Sequence, residues 1–137
     1  MEKILVVDDE KDVRDFLSEI LMVEGFQVIF AADGQEALEI VRERKPDLVL
    51  LDIKIPKLDG WAVLQIIKSN HETKSIPVIM LTGMNEVIDR MTSYYLRADG
   101  YISKPFTNEE LIKVINETLS DYKRLRELSC QKKSTSL

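Results

Sequence analysis

With 137 residues, a formal net charge of −5 and one cysteine, the chain has the length of one ordinary domain, enough to bury a core and too little for two. The acidic balance argues against general binding to nucleic acid phosphates, which needs an excess of Lys and Arg, and Cys130, alone in a polar stretch, can form no internal disulfide and makes a poor catalytic thiol. No apolar signal segment precedes the first strand pattern and no stretch reaches the length of a membrane span, so the expectation is a soluble, cytoplasmic protein with no direct contact to nucleic acid or membrane.

Hydrophobic periodicity alternates between short apolar runs and 3.6-residue patterns, β then α, five times. Residues 3–8 form the first predicted strand, and Val13, Phe16, Leu17, Ile20 and Leu21 then mark one helical face that Gly25 ends. Residues 26–31 give the second strand. Gly34 opens a helix carrying Ala37, Leu38 and Val41 that stops before Pro46, and residues 48–52 give the third strand. After a loop over 53–60, a helix from about Trp61 to Lys68 carries Val63, Leu64 and Ile67. Pro77 stands ahead of the fourth strand, Val78 to Leu81, which Thr82 ends. A helix over 86–97, a short strand over 100–103 and a last helix from about residue 108 complete the order. Strands this apolar, separated by helices, imply an α/β fold whose parallel sheet is covered on both faces.

In such a sheet all carboxyl ends lie at one edge, where ligands bind. Asp8 and Asp9 follow the first strand, Asp52 ends the third, Thr82 the fourth, and Lys104 follows the fifth. Carboxylates about 4 Å apart repel by roughly 4 kcal/mol at an effective dielectric near 20, so three acids at one sheet end call for a cation between them. An all-oxygen donor set suits Mg²⁺, which keeps several waters and completes its shell with phosphate oxygens. Helix capping would account for one Asp, and poorly for a doublet plus a third acid at an equivalent strand end. With a hydroxyl and an ammonium converging there, the pattern points to phosphate chemistry. Asp52 is the natural nucleophile, because a carboxylate attacks without a base; His71, in a polar stretch, reads as a solvated loop residue.

These residues resemble the receiver domains of two-component response regulators. The segments Val6-Val7-Asp8-Asp9-Glu10, Leu51-Asp52-Ile53 with Pro56 and Asp59-Gly60, then Thr82, then Lys104-Pro105-Phe106 are similar to that family's signature in order and separation, over roughly residues 2–120. The resemblance implies a flavodoxin-like, doubly wound (βα)5 fold with five parallel strands in the order 2-1-3-4-5. It implies that Asp52 accepts a phosphoryl group from a sensor histidine kinase or a histidine phosphotransfer protein. Mg²⁺ would be held by Asp9, Asp52 and the backbone carbonyl of Lys54, with Asp8 acting through water. Thr82, Lys104 and the backbone N–H of Gly83 would contact the phosphoryl oxygens, and the Lys104–Pro105 bond would be cis, X-Pro being the one bond type where cis is cheap. Tyr101 matches the family's aromatic switch position, which together with Thr82 would remodel the face of the fourth helix, fifth strand and fifth helix for a downstream effector. An ordinary half-buried strand aromatic fits Tyr101 as well. The chain would thus be a signalling domain that assists its own phosphorylation and dephosphorylation, not an enzyme acting on a separate substrate.

The chain departs from the family at Lys54, where Met or a small polar residue is common, at Gly83, where Ala or Ser is usual, and at Met84. In the family these positions tune the lifetime of the phosphoryl group, and the Lys54 ammonium is expected to occupy the acidic mouth part of the time. A flavin or nucleotide binder would need a Gly/Ser/Thr-rich phosphate loop after the first strand, and an Asp-x-Asp phosphatase would need an acid at position 54. A non-phosphorylated interaction module retaining the fold is the remaining alternative, against which the full polar set argues. The receiver domain is expected over residues 2–120 and a helix extension with a polar tail over 121–137. Ile112, Ile115, Leu119 and Tyr122 keep helical spacing, but Arg126 and Ser129 break a coiled-coil seam. Tyr122, Leu125 and Leu128 are left as a modest apolar strip, with Cys130 to Leu137 expected to be mobile.

Overall fold

A computed structural model describes residues 1–83, 91–92, 94 and 96–135. Strands β1 (Lys3–Val7), β2 (Gln27–Ala31), β3 (Leu48–Asp52), β4 (Val78–Thr82) and β5 (Gly100–Ser103) form one parallel sheet in the order β2-β1-β3-β4-β5. This is the doubly wound, flavodoxin-like arrangement expected from the sequence. The register sets Val7 beside both Ala31 and Leu51, Asp52 beside Leu81, and Thr82 beside Ser103. The polar residues at these strand ends therefore share one edge.

Side chains alternate across a strand, and both faces of this sheet are buried, which is why its runs are unbroken. Leu5, Val7, Val49, Leu51, Val78 and Met80 pack with residues of α2 (Gly34–Arg44) and α3 (Gly60–Ser69). Ile4, Val6, Leu48, Leu50, Ile79 and Leu81 pack on the other face with Leu17 and Leu21 of α1 (Lys11–Val23) and with Leu111 and Ile115 of the C-terminal helix (Asn108–Thr135). Each such burial is worth about 1.5–3 kcal/mol against leaving the side chain in water.

Local chemistry sets the helix ends. Gly25, at φ +90°, lets its N–H reach the Met22 carbonyl and the Phe26 N–H reach that of Leu21, closing α1 in a Schellman turn. Asp33 and Asp59 cap α2 and α3 by accepting the N–H groups of Glu36 and Ala62 at 2.8 and 2.9 Å. The expected helix over 86–97 falls largely outside the described residues; Met91, Thr92 and Tyr94 are helical. The C-terminal helix continues to Thr135, past Cys130, where a mobile tail was expected. No Gly or Pro occurs from Asn108 onward, and its Leu, Glu, Lys, Arg and Gln residues are good helix formers. Among the described residues no helix is long and apolar enough to cross a membrane.

A polar junction ties this helix to the amino edge of the sheet. The Lys68 ammonium lies 2.7 Å from Asp99 Oδ2 and donates to the carbonyls of Ile76 at 2.8 Å and Lys74 at 3.2 Å. The Tyr122 hydroxyl donates to Asp99 Oδ1 at 2.5 Å, and the Val78 N–H to Asp99 Oδ2 at 2.8 Å. Burial, reinforced by Asp99, pushes the Tyr122 phenol well above its ordinary pKa. The apolar strip of the sequence therefore divides: Tyr122 packs back on the domain, while Leu125 and Leu128 are 60% and 51% exposed.

Candidate functional site

Where β1 ends, the Asp8 N–H makes a last sheet bond to the Ala31 carbonyl at 3.1 Å. Asp8 Oδ1 then accepts the Glu10 N–H at 2.9 Å, and the Asp8 carbonyl accepts from Arg14 Nη1 at 2.7 Å. Asp8 is 1% exposed, and its Oδ2 has no hydrogen-bond partner among the described residues. A local turn bond to the residue ahead of α1 thus accounts for one oxygen of Asp8 and leaves the other directed at the remaining acids. Asp9 is exposed beside it. Asp8, Asp9 and Asp52 each offer a carboxylate oxygen within 4.8 Å of the others.

One ammonium answers this charge. Lys104 Nζ lies 3.6 Å from Asp8 Oδ2 and 3.9 Å from Asp52 Oδ2. Its backbone N–H donates to the Thr82 carbonyl at 2.6 Å, and the Lys104–Pro105 bond is cis. The Asp52 carboxyl is pushed up to about 6, chiefly by burial; Lys104 opposes the rise, Asp8 adds to it, and the Lys54 N–H, 3.4 Å from Asp52 Oδ1, opposes it weakly. Lys54 is exposed, and among the described residues its ammonium forms no ion pair with the acids. Among the described residues the cation in the mouth is Lys104, not Lys54 as expected, because Lys104 already sits between Asp8 and Asp52 while Lys54 stays in solvent.

The loop after Asp52 is pinned at both ends. The Gly60 N–H donates to the Ile53 carbonyl at 2.7 Å, and a Cβ on Gly60 would collide with the Asp52 carbonyl oxygen. The Gly34 N–H donates to the Pro56 carbonyl at 3.2 Å, a Cβ on Gly34 would collide with the Leu58 carbonyl oxygen, and Lys57 pairs with Asp33 at 3.5 Å.

The structure brings Asp8, Asp9, Asp52 and Lys104 together and buries Thr82 at the end of β4, the strand next to β3. Gly83 follows, exposed, while Met84 lies outside the described residues. Tyr101 is half-buried on β5 against the core of the α2 and α3 face. His71 is exposed in the turn after α3. Arg14 was not singled out from the sequence; its signal is a basic residue one turn into the helix that follows the acidic doublet. Oxygen-only donors, one of them buried without a hydrogen bond, with one ammonium among the described residues paired to two of the three acids, fit a small hard cation such as Mg²⁺.

Comparison with known proteins gives the same answer from three directions. The family model for the response regulator receiver domain matches residues 4–116. Relatives described as probable transcriptional regulator ycf27 are 48% identical in Porphyridium aerugineum and 46% in Guillardia theta, each over 110 residues and 80% of this chain. The chain spans less than half the length of these relatives, 45% and 42%. Among solved structures, a CheY-like receiver domain protein from Methanospirillum hungatei matches with a TM-score of 0.84 and 31% identity, covering 90% of this chain and 98% of that one. NtrX from Brucella abortus matches with a TM-score of 0.89 and 38% identity, covering 96% of this chain and 30% of its own.

Proposed function

The chain belongs to the response regulator receiver domain family of two-component systems, and from that premise we propose that Asp52 is its phosphoacceptor, charged by a sensor histidine kinase or a histidine phosphotransfer protein. The observation that carries the proposal is the Asp8–Asp52–Lys104 geometry: a buried carboxylate oxygen without a hydrogen bond, the acceptor acid, and one ammonium within 3.6 and 3.9 Å of the two. In the transfer an Asp52 oxygen forms the new O–P bond as the N–P bond of phosphohistidine breaks; the imidazole nitrogen keeps the electron pair and takes a proton from water. Mg²⁺, which the family typically binds, would be held by Asp9, Asp52 and the Lys54 carbonyl, with Asp8 through water, and would neutralise charge on the phosphoryl oxygens.

The chain's own groups do the rest. Lys104 leaves the carboxylates to meet a phosphoryl oxygen, and the Thr82 hydroxyl and Gly83 N–H supply two further donors. Thr82 moving inward opens space for Tyr101 to turn inward, which changes the surface around β5 and the C-terminal helix on which an effector docks. Lys54, Gly83 and Met84, the sequence neighbours of Asp52 and Thr82, tune the lifetime of the phosphoryl group. The longer relatives carry a transcriptional description, which supports an output in gene regulation made by a partner or a further segment. The receiver unit is assigned to residues 2–120, with residues 121–137 as its extension.

Intact-mass analysis after incubation with a small phosphodonor tests the proposal. One phosphoryl group is expected with Mg²⁺ and none with a chelator or in Asp52→Asn. No uptake in any of the three would leave the chain as an interaction module that retains only the fold, and equal uptake in all three would mean that Asp52 is not the acceptor.

A further inference from the structure

We propose that Arg14 is a positioning residue for the acidic doublet, fixing the Asp8–Asp9 turn from its backbone side and thereby the cation affinity of the site; this rests on the metal-assisted phosphoacceptor reading above. The β1 ladder ends at the Asp8 N–H, so nothing in the sheet holds the chain beyond it. Glu10, the residue ahead of α1, makes no side-chain cap bond. Asp8 Oδ1 takes the Glu10 N–H, so the residue ahead of the helix is tied back to the strand end. One turn on, the Arg14 N–H bonds the Glu10 carbonyl at 3.1 Å while its guanidinium returns to the Asp8 carbonyl at 2.7 Å.

Three bonds thus close residues 8–14 into a ring: the Glu10 N–H to the Asp8 carboxylate, the Arg14 N–H to the Glu10 carbonyl, and the Arg14 guanidinium to the Asp8 carbonyl. The ring fixes both the Asp8 main chain and its side chain, leaving Oδ2 turned toward Lys104 and Asp52. The duties of the two cations are separate. Lys104 touches carboxylate oxygens and must let them go, whereas Arg14 touches a carbonyl and leaves the carboxylates available. A planar guanidinium suits that post, since it is always charged and holds its donors in a rigid fork.

The sign of one measurement separates position from charge. Taking a cation away from three acids would, by charge alone, tighten Mg²⁺ binding; loosening the ring would weaken it. Calorimetric titration of the whole chain with Mg²⁺ is expected to show Arg14→Gln binding about tenfold more weakly than the wild type, with Arg14→Lys in between. Lys11→Gln, which removes an exposed cation from the same helix, should bind Mg²⁺ as the wild type does or more tightly. In metal-free protein the Glu10 amide of Arg14→Gln should exchange its hydrogen faster. Mg²⁺ affinity in Arg14→Gln equal to or above the wild-type value would overturn the proposal. A wild type that takes up no Mg²⁺ would remove the metal reading itself, and the proposal with it.

Discussion

A carboxyl at a sheet edge beside two other acids keeps its proton longer than one in water, and Asp52 shows the balance of causes. Burial raises it first, Lys104 pulls against that rise, and Asp8 adds to it, leaving the group at about 6. Because the folded value lies above the ordinary 3.8, the metal-free fold binds a proton that the unfolded chain has lost. The stability this contributes is full below 3.8 and is lost as pH rises through about 6. Asp52→Asn lacks that loss. Its melting temperature in chelator should therefore gain on the wild type as pH climbs through this window, and added Mg²⁺ should narrow the gap. Parallel melting curves across the window would show that Asp52 does not hold the proton. Lys104→Met removes the group that opposes the rise, so the Asp52 carboxyl, followed by carbon-13 NMR, should titrate above its wild-type value. A downward shift would mean that Lys104 does not face Asp52.

At the scale of elements, the site is a consequence of where strands stop and how the loop after β3 is held. A side chain on Gly60 must displace the Asp52–Ile53 peptide, since backbone stands where its Cβ would be. Gly60→Ala should cost about 1–3 kcal/mol in urea unfolding, the usual range for forcing extra atoms into a packed site. It should also slow phosphorylation more than Gly34→Ala, whose contact is one step further from the acceptor. Equal activity in all three proteins would show that the loop re-forms around either methyl group. Strands and site acids were legible in the sequence for one physical reason: apolar runs buried on both faces declare themselves, and the first polar residue after each run must lie at the sheet edge. Asp8, Asp52 and Thr82 are all of that kind, and Lys104 stands one residue further on, after Ser103. Arg14 was not, because its partner is a carbonyl, which every residue owns. Gly34 was legible only as a helix start, since the Leu58 backbone against it comes from another part of the chain.

The whole molecule is closed at the opposite edge by Lys68, Asp99 and Tyr122, residues up to 54 positions apart that no local pattern joins. Lys68 and Asp99 side chains are 8% and 18% exposed. Removing the cation alone, as in Lys68→Met, leaves the Asp99 charge with only the Tyr122 and Val78 donors and should cost about 3 kcal/mol, whereas Tyr122→Phe keeps the ion pair and should cost about 1 kcal/mol. A chain ending after Ser120 loses the whole Tyr122 contact, so it should unfold at lower urea than one ending after Leu128, though both should be phosphorylated. Equal midpoints would mean that the junction adds nothing to the fold. Everything else about the molecule's work follows from which residue carries the phosphoryl group. Borohydride reduction of the chain after phosphodonor and Mg²⁺, followed by peptide sequencing in the mass spectrometer, reads this directly, because an aspartyl phosphate is converted to homoserine. Homoserine at position 52 alone is the expected result; homoserine at position 8 or 9, or none anywhere in a chain that has gained phosphate, would contradict the account.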